Sequence, residues 1–198
     1  MAPGRVGHAD LAAGTHPPLH HEPRAIAADH PNVARVVTYA KERGVDIDVK
    51  RFSGTTRTAE DAAREIGTDV KRIVKSLVFM VKSKPVVVLC SGDNRVSLVR
   101  LEEIFRTKDV RRATAEEAKA HTGYAIGGVP PFAYAGKIDL ILDEDLARFD
   151  TVWAAAGLPD AVFEISVNDL ERLTYEASTG AQFWSTAIAA VPGTEWER

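Results

Sequence analysis

Two apolar runs, Ile73–Val81 and Pro85–Cys90, stand almost back to back in the middle of the chain, and Ser83-Lys84 between them reads as a turn. The second run is apolar at every position. A strand with one face in water alternates apolar and polar residues, whereas a strand covered on both faces does not. Pro85–Cys90 is therefore expected to be a central strand, buried from both sides.

The flanking sequence is well punctuated. Val33, Val36, Val37 and Ala40 recur at helical spacing, and Gly44 ends that helix. Ile47–Phe52 reads as a strand. Thr58 with Asp61 three residues on caps a helix whose apolar stripe is Ala59, Ala62, Ala63 and Ile66, and Gly67 stops it. Val96–Val99 is expected to be a short strand after the turn Gly92-Asp93-Asn94, with a helix over Leu101–Phe105. Thr114 and Glu117 form a capping box for a helix ending before Gly123. Strands follow at Ile138–Leu142, Val152–Ala155 and Ala161–Ile165. A short helix falls at Asp145–Phe149, and a last one is capped by Ser166 and Asp169 and runs through Leu173. Helices and strands alternate irregularly, so the expected class is mixed α/β in a single domain over residues 31–178. Residues 1–30 hold five of the six histidines at spacings that match no standard metal site, which favours a disordered tail over a metal site. Residues 179–198 read as a second tail.

Composition narrows the function classes. An apolar fraction of 45% and a charged fraction of 27% are ordinary for a soluble domain of this length. No apolar run approaches the roughly 20 residues that span a bilayer. The N-terminus lacks the apolar stretch of a signal peptide, so the expected location is cytoplasmic. Cys90 is the single cysteine. Its apolar run suits a small buried hydrophobe, while a catalytic thiol wants an electropositive, partly exposed setting. Net charge is −3, but residues 71–112 hold eleven Lys or Arg against four Asp or Glu, a local +7. That segment is either a nucleic-acid footprint or a set of charges scattered over several faces by folding.

Three features can carry chemistry. If Ile73–Val81 is a strand, Lys75 shares a face with Ile73, Leu77, Phe79 and Val81, where an ammonium is costly unless it finds water or a partner. It is either a pocket lysine or one that snorkels at a strand end. The pair Gly127-Gly128, stiffened by Pro130 and Pro131, lets a ligand approach backbone N–H groups that can hold a phosphate or an oxyanion. The alternative is a tight turn. His121 falls near a helix end and suits a surface residue better than a base. There is no G-x-S-x-G elbow, no H-E-x-x-H and no cysteine cluster. Any hydrolysis here rests on positioning and backbone dipoles rather than on a protein nucleophile.

Ile73-Val74-Lys75-Ser76-Leu77-Val78-Phe79, followed by Gly123-Tyr124 and Gly127-Gly128-Val129-Pro130-Pro131, resembles the YbaK/EbsC family, related to the editing insertion domain of bacterial prolyl-tRNA synthetase. The ordered set covers roughly residues 31–178, and Ala155–Ile165 falls where the family has a Gly-rich turn and a strand. The resemblance implies a mixed sheet curled around a pocket, with no metal and no cofactor. It implies a trans-editing hydrolase that deacylates mischarged tRNA, such as Cys-tRNA(Pro), Ala-tRNA(Pro), or Ser- and Thr-bearing tRNAs. The implied partners are that tRNA and an aminoacyl-tRNA synthetase, with no membrane. It implies Lys75 as the pocket lysine and Gly127 and Gly128 as backbone donors to the ester. Ser76, Tyr124, Val129, Pro130 and Pro131 are the implied substrate contacts. Members that clear cysteine carry a serine near the turn and an acid in the next strand, where this chain has Ala155 and Val162. The rival readings are a non-catalytic nucleotide- or amino-acid-binding module of the same fold and an interaction protein acting through its histidine-rich tail.

Overall fold

A computed structural model describes residues 30–52 and 58–185, and side chains only as far as residue 179. The expected tail over residues 1–30 lies outside the described residues except for His30, as do residues 186–198. Helix α1 is Pro31–Lys41, with the His30 side chain accepting from the Asn32 N–H. Strand β1 (Val49–Arg51) precedes helix α2 (Ala59–Ile66), whose Thr58 hydroxyl accepts from the Asp61 N–H and whose Gly67 cap is left-handed. Strands β2 (Ile73–Val81) and β3 (Lys84–Ser91) form an antiparallel hairpin whose register runs from Val74 opposite Ser91 to Val81 opposite Lys84. The turn lies at Lys82-Ser83, one residue earlier than expected, and Lys82 takes a positive φ of 56°.

Helix α3 is Leu98–Phe105. Val96–Val99 is therefore not a strand. Ser97 accepts from the Arg100 N–H and starts the helix inside that apolar stretch, so the cap outweighs the local β-propensity. Strand β4 (Val110–Arg112) pairs with the end of β2 and was not legible, since two of its three residues are arginines. Helix α4 (Ala115–Thr122) has the full Thr114–Glu117 capping box and a left-handed Gly123 cap. Strand β5 (Ile138–Asp143), a 3-10 turn at Glu144–Arg148, strands β6 (Thr151–Ala155) and β7 (Ala161–Ser166) and helix α5 (Val167–Ala177) follow. The sheet then runs past residue 178 into β8 (Ser178–Ser185), which pairs in parallel with β5 where a tail was expected.

The strands form one mixed sheet in the order β1-β7-β6-β2-β3-β5-β8, with β4 added to β2. β3 is central, and Val86 to Cys90 are wholly buried. One face packs Val74, Val78, Val87 and Leu89 against α1 and α5 through Val33, Val36, Leu170 and Leu173. The opposite face packs Phe79, Val88 and Cys90 against Leu101 of α3. Beside it, Ile73, Trp153 and Val162 lie under Ala62 and Ala63 of α2. Both faces of β3 are thus covered, as its unbroken apolar run requires.

Candidate active site

The central hairpin carries an interruption. On the edge of β2 away from β3, β6 pairs with Ile73 and Val74, and β4 pairs with Phe79, Met80 and Val81. Neither ladder includes Lys75, Ser76 or Leu77. Those three are half-buried, while every other residue of β2 is buried. β6 continues past Val74 only to Ala155 and then turns back through Leu158 and Pro159. A core strand is therefore open to solvent at its middle, where its lysine stands.

Strand alternation puts Lys75 on the face of Phe79 and Cys90. Its ammonium donates to the carbonyl oxygens of Gly92 (2.9 Å) and Asn94 (2.5 Å), in the turn between β3 and α3. An ammonium has three N–H donors, so these two bonds leave one for a ligand. A web of carboxylates holds the turn. The Asn94 side-chain amide donates to Asp143 Oδ2 (2.8 Å) and to Asp145 Oδ2 (2.7 Å). Asp143, wholly buried at the end of β5, also accepts from the Ser91 N–H (3.0 Å) and, through Oδ1, from the Asp145 N–H (3.1 Å). The Ser91 hydroxyl donates to the Lys71 carbonyl at 2.8 Å. Sequence reasoning found the Gly92-Asp93-Asn94 turn but not Asp143 or Asp145, which lie about 50 residues further on and leave no local signal. Cys90 lies beside this web, fully enclosed, and burial pushes its thiol up to about 12, which removes it as a nucleophile at neutral pH.

The glycine loop approaches from the other face. Val129 and Phe132 belong to the core that holds Val74 and Val78. The Gly128 N–H donates to the Ala125 carbonyl (3.0 Å), and Gly127 has φ of 86°, so Ala125–Gly128 is a β-turn with Gly127 at its left-handed position. Of the two amides expected to face an ester, the Gly128 N–H is consumed by this turn. The Gly127 N–H takes no part in it, and Ala125, Ile126 and Gly127 are exposed. A Cβ on Gly128 would sit 2.8 Å from the Leu158 Cα, so the loop is pressed onto the β6–β7 turn. Val129, Pro130 and Pro131 are buried beneath it. Tyr124 is wholly buried as well, and its hydroxyl donates to the Ala133 carbonyl (2.8 Å), joining the two ends of the loop. Burial raises its pKa against the opposing pull of Arg35, whose guanidinium lies 4.2 Å from the ring centroid. Tyr124 and the Val129–Pro131 stretch thus form the base of the loop rather than its exposed rim. The Ser76 hydroxyl, on the loop's side of β2, is buried with no hydrogen-bond partner.

Ala155 and Val162 are direct cross-strand partners. Val162 packs with Ile73 and Trp153 on the face that carries Lys75. His121 lies in the last turn of α4. Among the described residues no group of His, Cys, Asp or Glu is arranged to hold a metal, and no helix is long and apolar enough to cross a membrane. The basic segment is partly neutralised by folding. Arg100 pairs with Glu103, Lys108 with Glu102, and Arg111 with Glu117.

Comparisons with known proteins agree with this architecture. Bacillus subtilis YwhH is 33% identical over 129 residues, which are 65% of this chain and 82% of that protein. Proline–tRNA ligase 1 of Bacillus cereus is 29% identical over 113 residues, 57% of this chain but only 20% of the ligase. The crystal structure of a candidate trans-editing enzyme for prolyl-tRNA synthetase superposes with a TM-score of 0.73 at 35% identity, over 82% of this chain and 99% of that one. The profile of the aminoacyl-tRNA editing domain matches residues 54–173, a span that takes in α2, the open stretch of β2, the glycine loop and most of α5. With that match extending over more than half its length, the chain belongs to the YbaK-like family of aminoacyl-tRNA editing domains.

Proposed function

We propose that the protein is a freestanding deacylase that hydrolyses the ester between a wrongly attached amino acid and the terminal adenosine of a tRNA. The observation that carries this reading is the opening at Lys75–Leu77, a half-buried stretch of a core strand whose lysine has two N–H groups on backbone carbonyls and one N–H to spare. The family and the likeness to a candidate trans-editing enzyme for prolyl-tRNA synthetase support the substrate class. The aminoacyl end enters the opening. Water attacks the ester carbonyl, the carbon–oxygen bond to the ribose breaks, and the products are a free amino acid and a tRNA with its hydroxyl restored. Lys75 holds the terminal phosphate or the aminoacyl end. The Gly127 N–H reaches the developing oxyanion from the rim, and a ribose hydroxyl helps to activate the water. The apolar pair Ala155 and Val162 favours an amino acid other than cysteine.

The test is release of labelled amino acid from a panel of Ala-, Cys-, Ser- and Thr-charged tRNAs, with Lys75→Ala as control. Wild-type protein is expected to clear at least one of them, and Lys75→Ala to lose about 10² or more in rate, the scale of a lost electrostatic contact in such a site. A folded Lys75→Ala protein with full activity refutes the mechanism. Wild-type protein that is inert towards the whole panel refutes the function.

A further inference from the structure

The web behind Lys75 has a shape that core stability alone does not require. Asp143 lies at the end of β5, Asn94 in the turn after β3, and Lys75 in the middle of β2. They connect in one direction. The Asp143 carboxylate fixes the Asn94 amide and the Ser91 N–H, and the same turn aims the carbonyls of Gly92 and Asn94 at the Lys75 ammonium. Asp145 takes the second N–H of the Asn94 amide, so that amide cannot rotate without breaking two charge-assisted bonds. The turn is also clamped from outside, since a Cβ on Gly92 would lie 2.0 Å from the Val70 carbonyl oxygen.

Lysine is a flexible side chain with a large rotamer entropy. On an open stretch of strand it would sweep through solvent unless something fixed its end. Two carbonyl acceptors on a rigid turn do so and leave the third N–H pointing in one direction.

We infer that Asn94 and Asp143 are positioning residues for Lys75, holding its ammonium in a fixed place through the Gly92–Asn94 turn. Neither needs to touch substrate. This rests on the deacylase reading for its kinetic consequence but not for its structural one. The experiment therefore has two arms on the full-length protein. The first arm reads the Lys75 ammonium directly, by NMR of 15N-lysine protein with Lys75→Arg to assign the signal. A held ammonium exchanges its protons slowly and gives a sharp NH3 resonance. Asn94→Ala and Asp143→Asn are expected to broaden or abolish that resonance while leaving the other lysine signals in place. Because Asp143 is buried, Asp143→Asn can fail to fold. Asn94 is half-buried, and its alanine variant then decides the matter alone. The second arm reads kinetics on the best mischarged tRNA. Misplacing a catalytic group by about 1 Å can cost roughly 10²-fold, so kcat should fall about 10- to 100-fold in Asn94→Ala. KM should change less than about twofold, since the tRNA body is bound elsewhere.

A folded Asn94→Ala protein with an unchanged Lys75 resonance overturns the inference whatever its activity. A lost resonance with unchanged kcat also overturns it, because Lys75 then works without being held. If wild-type protein deacylates nothing, the function proposed above fails, and the NMR arm still decides whether these residues hold the lysine.

Discussion

Two turns carry the candidate site, and they are built on different principles. The Gly92–Asn94 turn is held by side chains from far along the chain, Asp143 and Asp145, through charge-assisted hydrogen bonds. The Ala125–Gly128 turn is held by its own backbone bond, by the Tyr124 hydroxyl reaching Ala133, and by apolar residues beneath it. One is a polar scaffold that aims a side chain. The other is a packed scaffold that exposes a backbone amide. The first depends on partners that the sequence does not connect, and the second mostly on neighbours within ten residues.

Glycine substitutions test this contrast most sharply. Gly92→Ala forces a Cβ to 2.0 Å from a backbone carbonyl oxygen that cannot swing away, so it should be the most damaging. The expected loss is about 3 kcal/mol in urea unfolding, the upper end for overpacking, with deacylation lost as Lys75 loses its turn. Gly128→Ala meets the Leu158 backbone at 2.8 Å, a milder clash than the 2.0 Å at Gly92, and should cost somewhat less, about 2 kcal/mol. If Gly128→Ala proves worse than Gly92→Ala, the packed turn is the stiffer of the two and the contrast is reversed.

Tyr124→Phe removes one hydroxyl and leaves the ring in place. It strips the buried Ala133 carbonyl of a donor, and a loss of about 1 to 2 kcal/mol is expected from a group left unsatisfied. Activity should fall less than stability, because Tyr124 supports the loop from below. A purely kinetic defect at unchanged melting temperature would return Tyr124 to the substrate. Gly127→Ala should cost only about 1 kcal/mol, the strain of a left-handed alanine, since the added Cβ would lie 3.6 Å from Pro159 in ordinary contact. Its rate effect then isolates the exposed amide. A rate defect larger than the stability defect supports an oxyanion donor there, and a normal rate reduces the loop to a turn.

The same contrast explains what was legible in the sequence. The buried strand Pro85–Cys90, the caps at Thr58, Thr114 and Ser166, and the left-handed glycines after α2 and α4 all depend on local pattern, and each is present. Val96–Val99 misled because Ser97 carries a capping role that outranks the β-branched residues around it. β4 was invisible because its arginines give no apolar alternation and its existence depends on an edge of β2 left open beyond residue 78. β8 was missed because turn-like residues at its start concealed a strand that gains its partner only from β5. At the site, the lysine and the glycine loop stood out by residue type. Asn94, Asp143 and Asp145 did not, because a hydrogen bond spanning some 50 residues has no signature in one sequence. Tyr124 and the two prolines were taken as ligand contacts from their place in the motif, and the fold places them buried beneath the loop.

The smallest effects are expected at the sheet edge, outside both turns, where Arg111 and Arg112 end β4. They are adjacent but electrostatically unlike. Arg111 donates to both oxygens of Glu117 (2.7 and 2.6 Å), whereas Arg112 is exposed with no carboxylate partner among the described residues. The Arg111 hydrogen bonds, with help from the Thr114 N–H, hold the Glu117 carboxyl down at about 2. A carboxyl lowered on folding contributes stability above its ordinary value near 4.5 and loses it as pH falls through about 2. The pair is therefore formed at neutral pH and at pH 5 alike, so protonation of Glu117 does not free Arg111 in that range. Each phosphate contact adds roughly 0.7 to 0.9 to the slope of log affinity against log salt. Arg112→Ala should lower that slope for tRNA by about one contact, and Arg111→Ala should leave it nearly unchanged at both pH 7 and pH 5. Equal slope changes in the two variants would mean that the Arg111–Glu117 pair opens on the RNA, so that the basic segment acts as one surface. A slope unchanged in both would place the phosphate contacts elsewhere on the protein, leaving β4 only its role in closing the lower end of the opening in β2.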